Sequence, residues 1–433
     1  MKNAAAPEKF RKTYDPPYLL GVYLAVNAVP DAAVMVDGPS CVITKADYIA
    51  GNHDLHSTLL SCDGRHRVMC TVTSTMPQPP NPEDKLSALL ESAAGSGLYG
   101  VVLLTGLPFM RLIGMDYEGI ASRVRSGAPV AVVPPLSLEG DWLDGYAKAL
   151  DALVSALPVR RVRKRRRSAV IAGYLFDRNE RDHSANISGL KRLLAAAGVD
   201  LLAVLPGGKE FKSWERAREA ELVISMPYGR QAAARLAAMT GARLVETGLP
   251  VGIGGTSAWL ASVRAAAGLK GPLPPVLAEL ERATRRELAP AQAALAHHNI
   301  VFAGDPYLYS ALRGFALELC MRVPAAFIGS LSRPLSAPGP AAKLVMFAPE
   351  VAEAAEALAA LGRYDRPHLG VCDSLAITAG LTGGVPAVEL GFPSYAHHCL
   401  SDEPFMGYEG ARSLAGRLLN ALQSAEPAAD RGR

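Results

Sequence analysis

Short runs of Val, Leu, Ile and Ala, alternating with helical stretches from residue 32 to residue 372, limit the fold of this chain more than any other feature. An apolar run without polar alternation reads as a strand buried on both faces. Strands of that kind, separated by helices, argue for parallel sheets with crossover connections. Runs at 32–36, 101–105 and 130–133 read as strands, with helical periodicity over 84–95 and 141–156. A second block opens at Ser168. Its helix over 187–197 stops at Gly198, strands follow at 201–205 and 221–225, and another helix begins near Gly229. An Ala- and Leu-rich stretch over 275–296 reads as one long helix leading to a third block, with strands at 325–328, 344–347 and 369–372. The expected class is α/β, with three Rossmann-like doubly wound domains over 1–164, 165–296 and 297–433, the last with a C-terminal helical segment.

Of the 433 residues, 49% are hydrophobic and 20% charged, which suits a large globular protein with extensive core and excludes a disordered chain. A formal charge of +4 is too small for this length to define a class of partner. Residues 1–14 are polar, and no apolar stretch is long enough to cross a bilayer, so the expected setting is cytoplasmic. Six cysteines in irregular spacing, without a CxxC pair, fit neither a disulfide framework nor structural zinc. The basic run from Arg160 to Arg167 reads as a solvated interdomain linker. Its rival, a nucleic-acid surface, would need interleaved aromatics, and the run has none. The polar stretch from Ser424 to Arg433 is expected to fray.

Several chemistries lack their motifs. There is no GxxxxGK[ST], so no P-loop ATP site is expected. Gly252-Ile253-Gly254-Gly255-Thr256-Ser257 reads as a tight loop into a helix and lacks the third glycine of a dinucleotide fingerprint, so no NAD site is expected either. Gly304-Asp305-Pro306 reads as strand-to-helix turn chemistry. What remains is Asp37-Gly38-Pro39-Ser40-Cys41, where the turn puts Cys41 at the carboxyl end of a strand, the edge on which α/β folds build sites. Cys41 is a candidate metal-cluster ligand, weighed against a small core residue. Cys62 and Cys70 follow as weaker candidates for ligation, against a core or silent role. His53, His56 and His66 lie in two segments rich in proton-moving groups and are weak catalytic candidates, weighed evenly against ordinary polar loops. Lys45 and Asp47 are candidates to tune a cluster by charge and hydrogen bonding, weighed evenly against an exposed surface. His397-His398-Cys399 forms a dense group able to ligate metal or to serve structure. His297 and His298 terminate the long helix, Cys320 and Cys372 are expected in the core, and His183 and His368 have no evident partner.

Three segments in order resemble component 1 of the nitrogenase superfamily, which includes the protochlorophyllide and chlorophyllide reductases. They are Asp37–Cys41, Leu112-Ile113-Gly114-Met115-Asp116-Tyr117-Glu118-Gly119, and Gly391-Phe392-Pro393 leading to Gly407-Tyr408-Glu409-Gly410-Ala411. The resemblance runs over roughly 15–425, and three α/β blocks are what such subunits are built from. Asp15-Pro16-Pro17-Tyr18 through Tyr23 looks like the family's first ligand region and Leu104-Thr105-Gly106-Leu107-Pro108 its third, both without the usual cysteine. Cys41 alone remains, a pattern similar to β-type subunits in a divergent branch. The resemblance implies a [4Fe–4S] cluster shared with an α-type partner in a heterotetramer, and electrons supplied by a separate ATP-dependent iron–sulfur reductase protein. A small molecule would be reduced between the partner's domains. Its rivals are a non-catalytic scaffold for metallocofactor assembly, which would use the same fold and lone cysteine, and a binding module with Cys41 as a core thiol.

Overall fold

The apolar runs assemble into three parallel sheets in a computed structural model that describes residues 12–72, 82–125, 127–158, 162–335 and 342–424. The first sheet contains β1 (Ala32–Asp37), β2 (Val68–Cys70), β3 (Val101–Gly106) and β4 (Val130–Val132), in the order β2-β1-β3-β4. The second contains β5 (Arg165–Ala172), β6 (Asp200–Leu205), β7 (Ala220–Ser225) and β8 (Arg243–Glu246), in the order β6-β5-β7-β8. The third contains β9 (Asn299–Gly304), β10 (Arg322–Ile328), β11 (Leu344–Phe347), β12 (Leu369–Cys372) and β13 (Ala387–Glu389), in the order β11-β10-β9-β12-β13. Every ladder in them is parallel. Strands β1, β3 and β9 are buried along their whole length, which is why their sequences show no alternation. Each sheet reverses direction beside its first strand, so each has a switch point where side chains leaving β1, β5 or β9 converge.

Two helices tie the first sheet to the rest. The helix Tyr18–Asn27 has all ten residues buried and crosses the helix Trp142–Ser155 at two glycines. A Cβ on Gly21 would lie 1.7 Å from the Trp142 carbonyl oxygen, and one on Gly145 2.0 Å from that of Tyr18. The backbones touch there, so no side chain larger than hydrogen fits. The segment that resembles the first ligand region is therefore a packing helix.

Several expectations are revised by the coordinates. The second half of the basic run is not a linker: Arg165–Arg167 form the first residues of β5, and Lys164 donates to the carbonyls of Arg218 and Ala220 at 3.0 and 2.9 Å. Arg160 and Arg161 lie outside the described residues, as does the terminus beyond Ser424. The helix expected at 187–197 begins earlier, as Arg181–Ala196, because its polar first turn is held by partners just before it, Asp182 by Arg178 and His183 by Asp177 and Tyr174. Cys320 is exposed, since the preceding helix ends at Glu318 and the chain turns at Cys320 with φ of 56°. The last helix, Gly407–Ser424, packs back onto Arg181–Ala196, Gly252–Ala266 and Pro275–Leu295 of the second block. No helix among the described residues is long and apolar enough to cross a membrane.

Candidate functional site

The Cys41 turn is built by Asp37. Buried at the end of β1, its carboxylate accepts from the Thr71 hydroxyl at 2.7 Å and from the Tyr117 hydroxyl at 3.0 Å. Thr71 in turn accepts from the Gly38 N–H at 3.0 Å, so one side chain fixes both ends of the turn. Gly106 makes this possible, because a Cβ there would lie 2.0 Å from the Tyr117 hydroxyl. Burial raises the Asp37 pKa, with the two hydroxyl bonds and Lys85 opposing. Cys41 follows as the first residue of the short helix Cys41–Thr44, with its side chain exposed. It is not a core thiol.

Cys70 joins it at this edge. It ends β2, paired in register with Val36 of β1, and is half-buried. The Tyr23 hydroxyl, donating to the Val42 carbonyl at 3.0 Å, lies within electrostatic reach of both sulfurs; burial first, then Cys70 and Cys41, push its pKa far up. Cys62 is exposed on the loop entering β2 at the amino edge. That edge is fixed by Arg67, which donates to the carbonyls of Val26, Val29 and Ala32. His66 lies on the same loop, accepting from Ser61 N–H at 3.1 Å, and His56 is exposed.

His53 goes elsewhere, to the junction of all three sheets. Fully buried, its Nδ1 accepts from the Ser394 N–H at 2.9 Å, and its Nε2 lies 3.5 Å from Asp177. Asp177 follows β5, and its other carboxylate oxygen is 2.5 Å from His183 Nε2, whose Nδ1 is 2.8 Å from the Tyr174 hydroxyl. Burial pushes the Asp177 pKa up, but the charge of His183 and its hydrogen bond outweigh it, and the carboxyl is held well below its ordinary range. His183 is the counterpart: burial favours the neutral ring, while Asp177 and Asp182 outweigh it and raise the pKa. Across the junction Tyr228, following β7, donates to Asp305 at 3.0 Å. Burial raises Asp305 to about 6. These groups surround a cavity of about 30 Å³, room for a water or so.

A separate cleft of about 230 Å³ opens near the Cys41 edge. Lys45 and Tyr48, just past Cys41, line it together with Tyr14, Phe392, Pro393 and Tyr395. Behind Tyr14 its hydroxyl donates to Asp373, which follows β12 and is raised to about 7 by burial. A larger cleft of about 700 Å³ lies apart from this chemistry, between Arg230, Leu249 and the helix Pro306–Glu318. At its rim the Glu318 carboxylate takes the N–H groups of Ile253 and Gly254 at 2.7 and 2.8 Å, so a protein acid fills the place where a dinucleotide would put its phosphate.

His398 and Cys399 also reach the junction. Glu180 accepts from the Cys399 N–H at 2.7 Å and lies 2.8 Å from His398 Nδ1, while Arg178 donates to Asp182 at 2.6 Å and to the His397 carbonyl at 2.7 Å. From the sequence, Asp177 and Asp373 go unmarked, His183 has no evident partner, and Asp305 reads only as turn chemistry. The signal that singled out Cys41, a polar residue just past a buried strand, was present at Asp305 and Asp373 as well.

The fold and its site define a class: an α/β protein of three parallel sheets with buried acids and an exposed thiol gathered at the strands' carboxyl ends. The pattern of the family described as nitrogenase component 1 type oxidoreductase matches residues 18–423, and the chain belongs to that family. Among solved structures it is similar to one described as "Nitrogenase Cp1 at pH 6.5", with a TM-score of 0.79 and 14% identity over 99% of this chain and 97% of that one. A second, "Nitrogenase Cp1 at pH 5", gives a TM-score of 0.70 and 14% identity over 99% and 93%. No curated protein sequence matches.

Proposed function

We propose that the chain is the β-type subunit of a nitrogenase-like, two-component reductase, in which Cys41 contributes to an iron–sulfur cluster completed by an α-type partner. The observation that carries this is the exposure of Cys41 at the carboxyl edge of β1, on a turn fixed by three buried side chains. The donor set fits a share of such a cluster and not the whole. Clusters of this kind take about four thiolate-like ligands, and among the described residues only Cys70 accompanies Cys41 at that edge. The cluster, when bound, would take up and release single electrons, supplied by a separate ATP-dependent iron–sulfur protein.

The chain's own residues then have assigned work. Asp37, Thr71 and Tyr117 hold the ligand turn in place. Lys45 puts a cation beside it, which favours an anionic cluster. Asp373, protonated up to neutral pH, can pass a proton through the Tyr14 hydroxyl towards the cleft that Tyr14 lines. The junction cavity of about 30 Å³ is an order of magnitude below the 300–1,000 Å³ of ordinary ligand pockets, and the cleft of about 700 Å³ lies away from Cys41, so the small-molecule substrate is assigned to the partner's side.

Anaerobic co-purification with an α-type partner encoded alongside, followed by iron analysis and electron paramagnetic resonance, tests the reading. A reducible cluster in the wild type that is lost in Cys41→Ala supports it. Iron-free protein, or a cluster indifferent to Cys41, overturns it. A cluster that forms without any turnover on reduction would instead favour the cofactor-assembly scaffold.

A further inference from the structure

The loop between β13 and the last helix carries a second donor set that owes nothing to Cys41. His397 Nε2 lies 3.0 Å from Glu403 Oε2, and Cys399 Sγ lies 4.0 Å from the same oxygen. All three ligand atoms fall within 4.8 Å of one another. A tetrahedral zinc site with ordinary bond lengths separates its ligand atoms by about 3.3–3.6 Å, so binding requires the Cys399 sulfur to draw in towards the other two donors and the His397–Glu403 contact to open slightly. We propose that His397, Cys399 and Glu403 bind one divalent ion of the zinc class, with the fourth position open to water.

Three observations support a built site over a chance meeting. First, the loop is anchored on both sides of the donors. Glu389 accepts from the Ser394 hydroxyl at 2.7 Å and the Ala396 N–H at 3.0 Å, and Asn186 accepts from the N–H groups of Phe405 and Met406, both at 2.9 Å. Second, burial is graded: Cys399 is 1% exposed, whereas the His397 and Glu403 side chains are 33% and 32% exposed, which leaves an entry path. Third, the donors are soft, borderline and hard in one set, a mixture suited to zinc and not to calcium or magnesium, which take oxygens. Arg178 donates to the Cys399 sulfur at 3.4 Å, and its charge is met by Asp182 at 2.6 Å and Glu180 at 3.6 Å. The ion would clip the loop whose Ser394 N–H and Cys399 N–H hold His53 and Glu180 at the junction.

Cobalt(II) is the probe. Titrated into the metal-free full-length chain, it is expected to bind at one equivalent with a thiolate-to-cobalt charge-transfer band. Cys399→Ala should abolish the band and Cys41→Ala should leave it, which separates this site from the cluster reading. Absence of the band in the wild type, its survival in Cys399→Ala, or its loss in Cys41→Ala overturns the proposal. Glu403→Gln, at a partly exposed position, guards against misfolding of the cysteine variant. It should weaken cobalt binding by more than about tenfold, since even outer-shell losses cost that much, and unchanged affinity overturns the proposal equally.

Discussion

Asp37 shows how much a single buried carboxylate can organise. Its two oxygens take hydroxyls from β2's exit and from the helix Tyr117–Arg123, and through Thr71 it also fixes the Gly38 N–H. Replacing it with alanine takes the acceptor from the buried Tyr117 hydroxyl, a loss worth about 1–3 kcal/mol, and leaves Thr71 only its longer bond to the Gly38 carbonyl at 3.4 Å. Asp37→Ala should therefore lower the apparent melting temperature and, in the assembled protein, reduce iron retention along with it. Asp37→Asn keeps an acceptor and should recover most of both. If iron retention is the same in all three proteins, the carboxylate does not position Cys41. In the sequence this motif was legible as a turn with a thiol, but Thr71 and Tyr117 were not, because they lie 34 and 80 residues away. Likewise the pairing of Cys41 with Cys70 depends on strand order, which no spacing along the chain records.

Among the elements, the helix Tyr18–Asn27 shows how closely the first block is packed. Its contact with Trp142–Ser155 is backbone to backbone at Gly21 and Gly145. Gly145→Ala would place a methyl within 2.0 Å of a carbonyl oxygen that has no side chain to move aside. Such overpacking costs typically about 1–3 kcal/mol. The variant should lose several degrees of melting temperature, whereas Gly416→Ala, with nothing within 4 Å of the new methyl and a helical setting, should match or exceed the wild type. Equal melting curves for the two variants would refute the close approach. This helix also marks where sequence patterning fails. The long apolar strands could be read from their unbroken Val and Leu runs, and the helix Pro275–Leu295 from its Ala- and Leu-rich stretch. A helix buried on every side has no periodicity to read, and β2 and β13, at three residues each, are too short to stand out.

For the molecule as a whole, the three sheets turn their carboxyl ends towards a shared centre, and polar groups separated by up to 341 residues meet there. This is why the centre was invisible in the sequence although its members were in plain view. Burial of so many carboxyl groups makes stability depend on pH, and the sign can be worked out. Asp305 and Asp373 have folded-state values of about 6 and about 7, raised by burial above the ordinary value of about 3.9. The folded state therefore holds these protons longer than the unfolded state does. Their contribution is complete below about pH 4 and is lost as pH rises through about 6 and about 7. His183, raised above its ordinary value of about 6.5, adds a contribution that is lost at still higher pH. Asp177 acts the other way, but only in acid: held well below the ordinary carboxyl range, it contributes above about pH 4 and loses that only as pH falls further. Between pH 5 and pH 8 the three losses add, so the apparent melting temperature should fall steadily across that range. Asp373→Asn keeps a helix-capping side chain at the start of Ser374–Thr378 while removing the titration, so it should flatten the part of the slope centred near pH 7. Asp305→Asn should do the same near pH 6. A melting temperature that rises from pH 5 to pH 8, or a slope untouched by both substitutions, would show that these acids ionise without cost and would remove Asp373 as a proton source for the cleft.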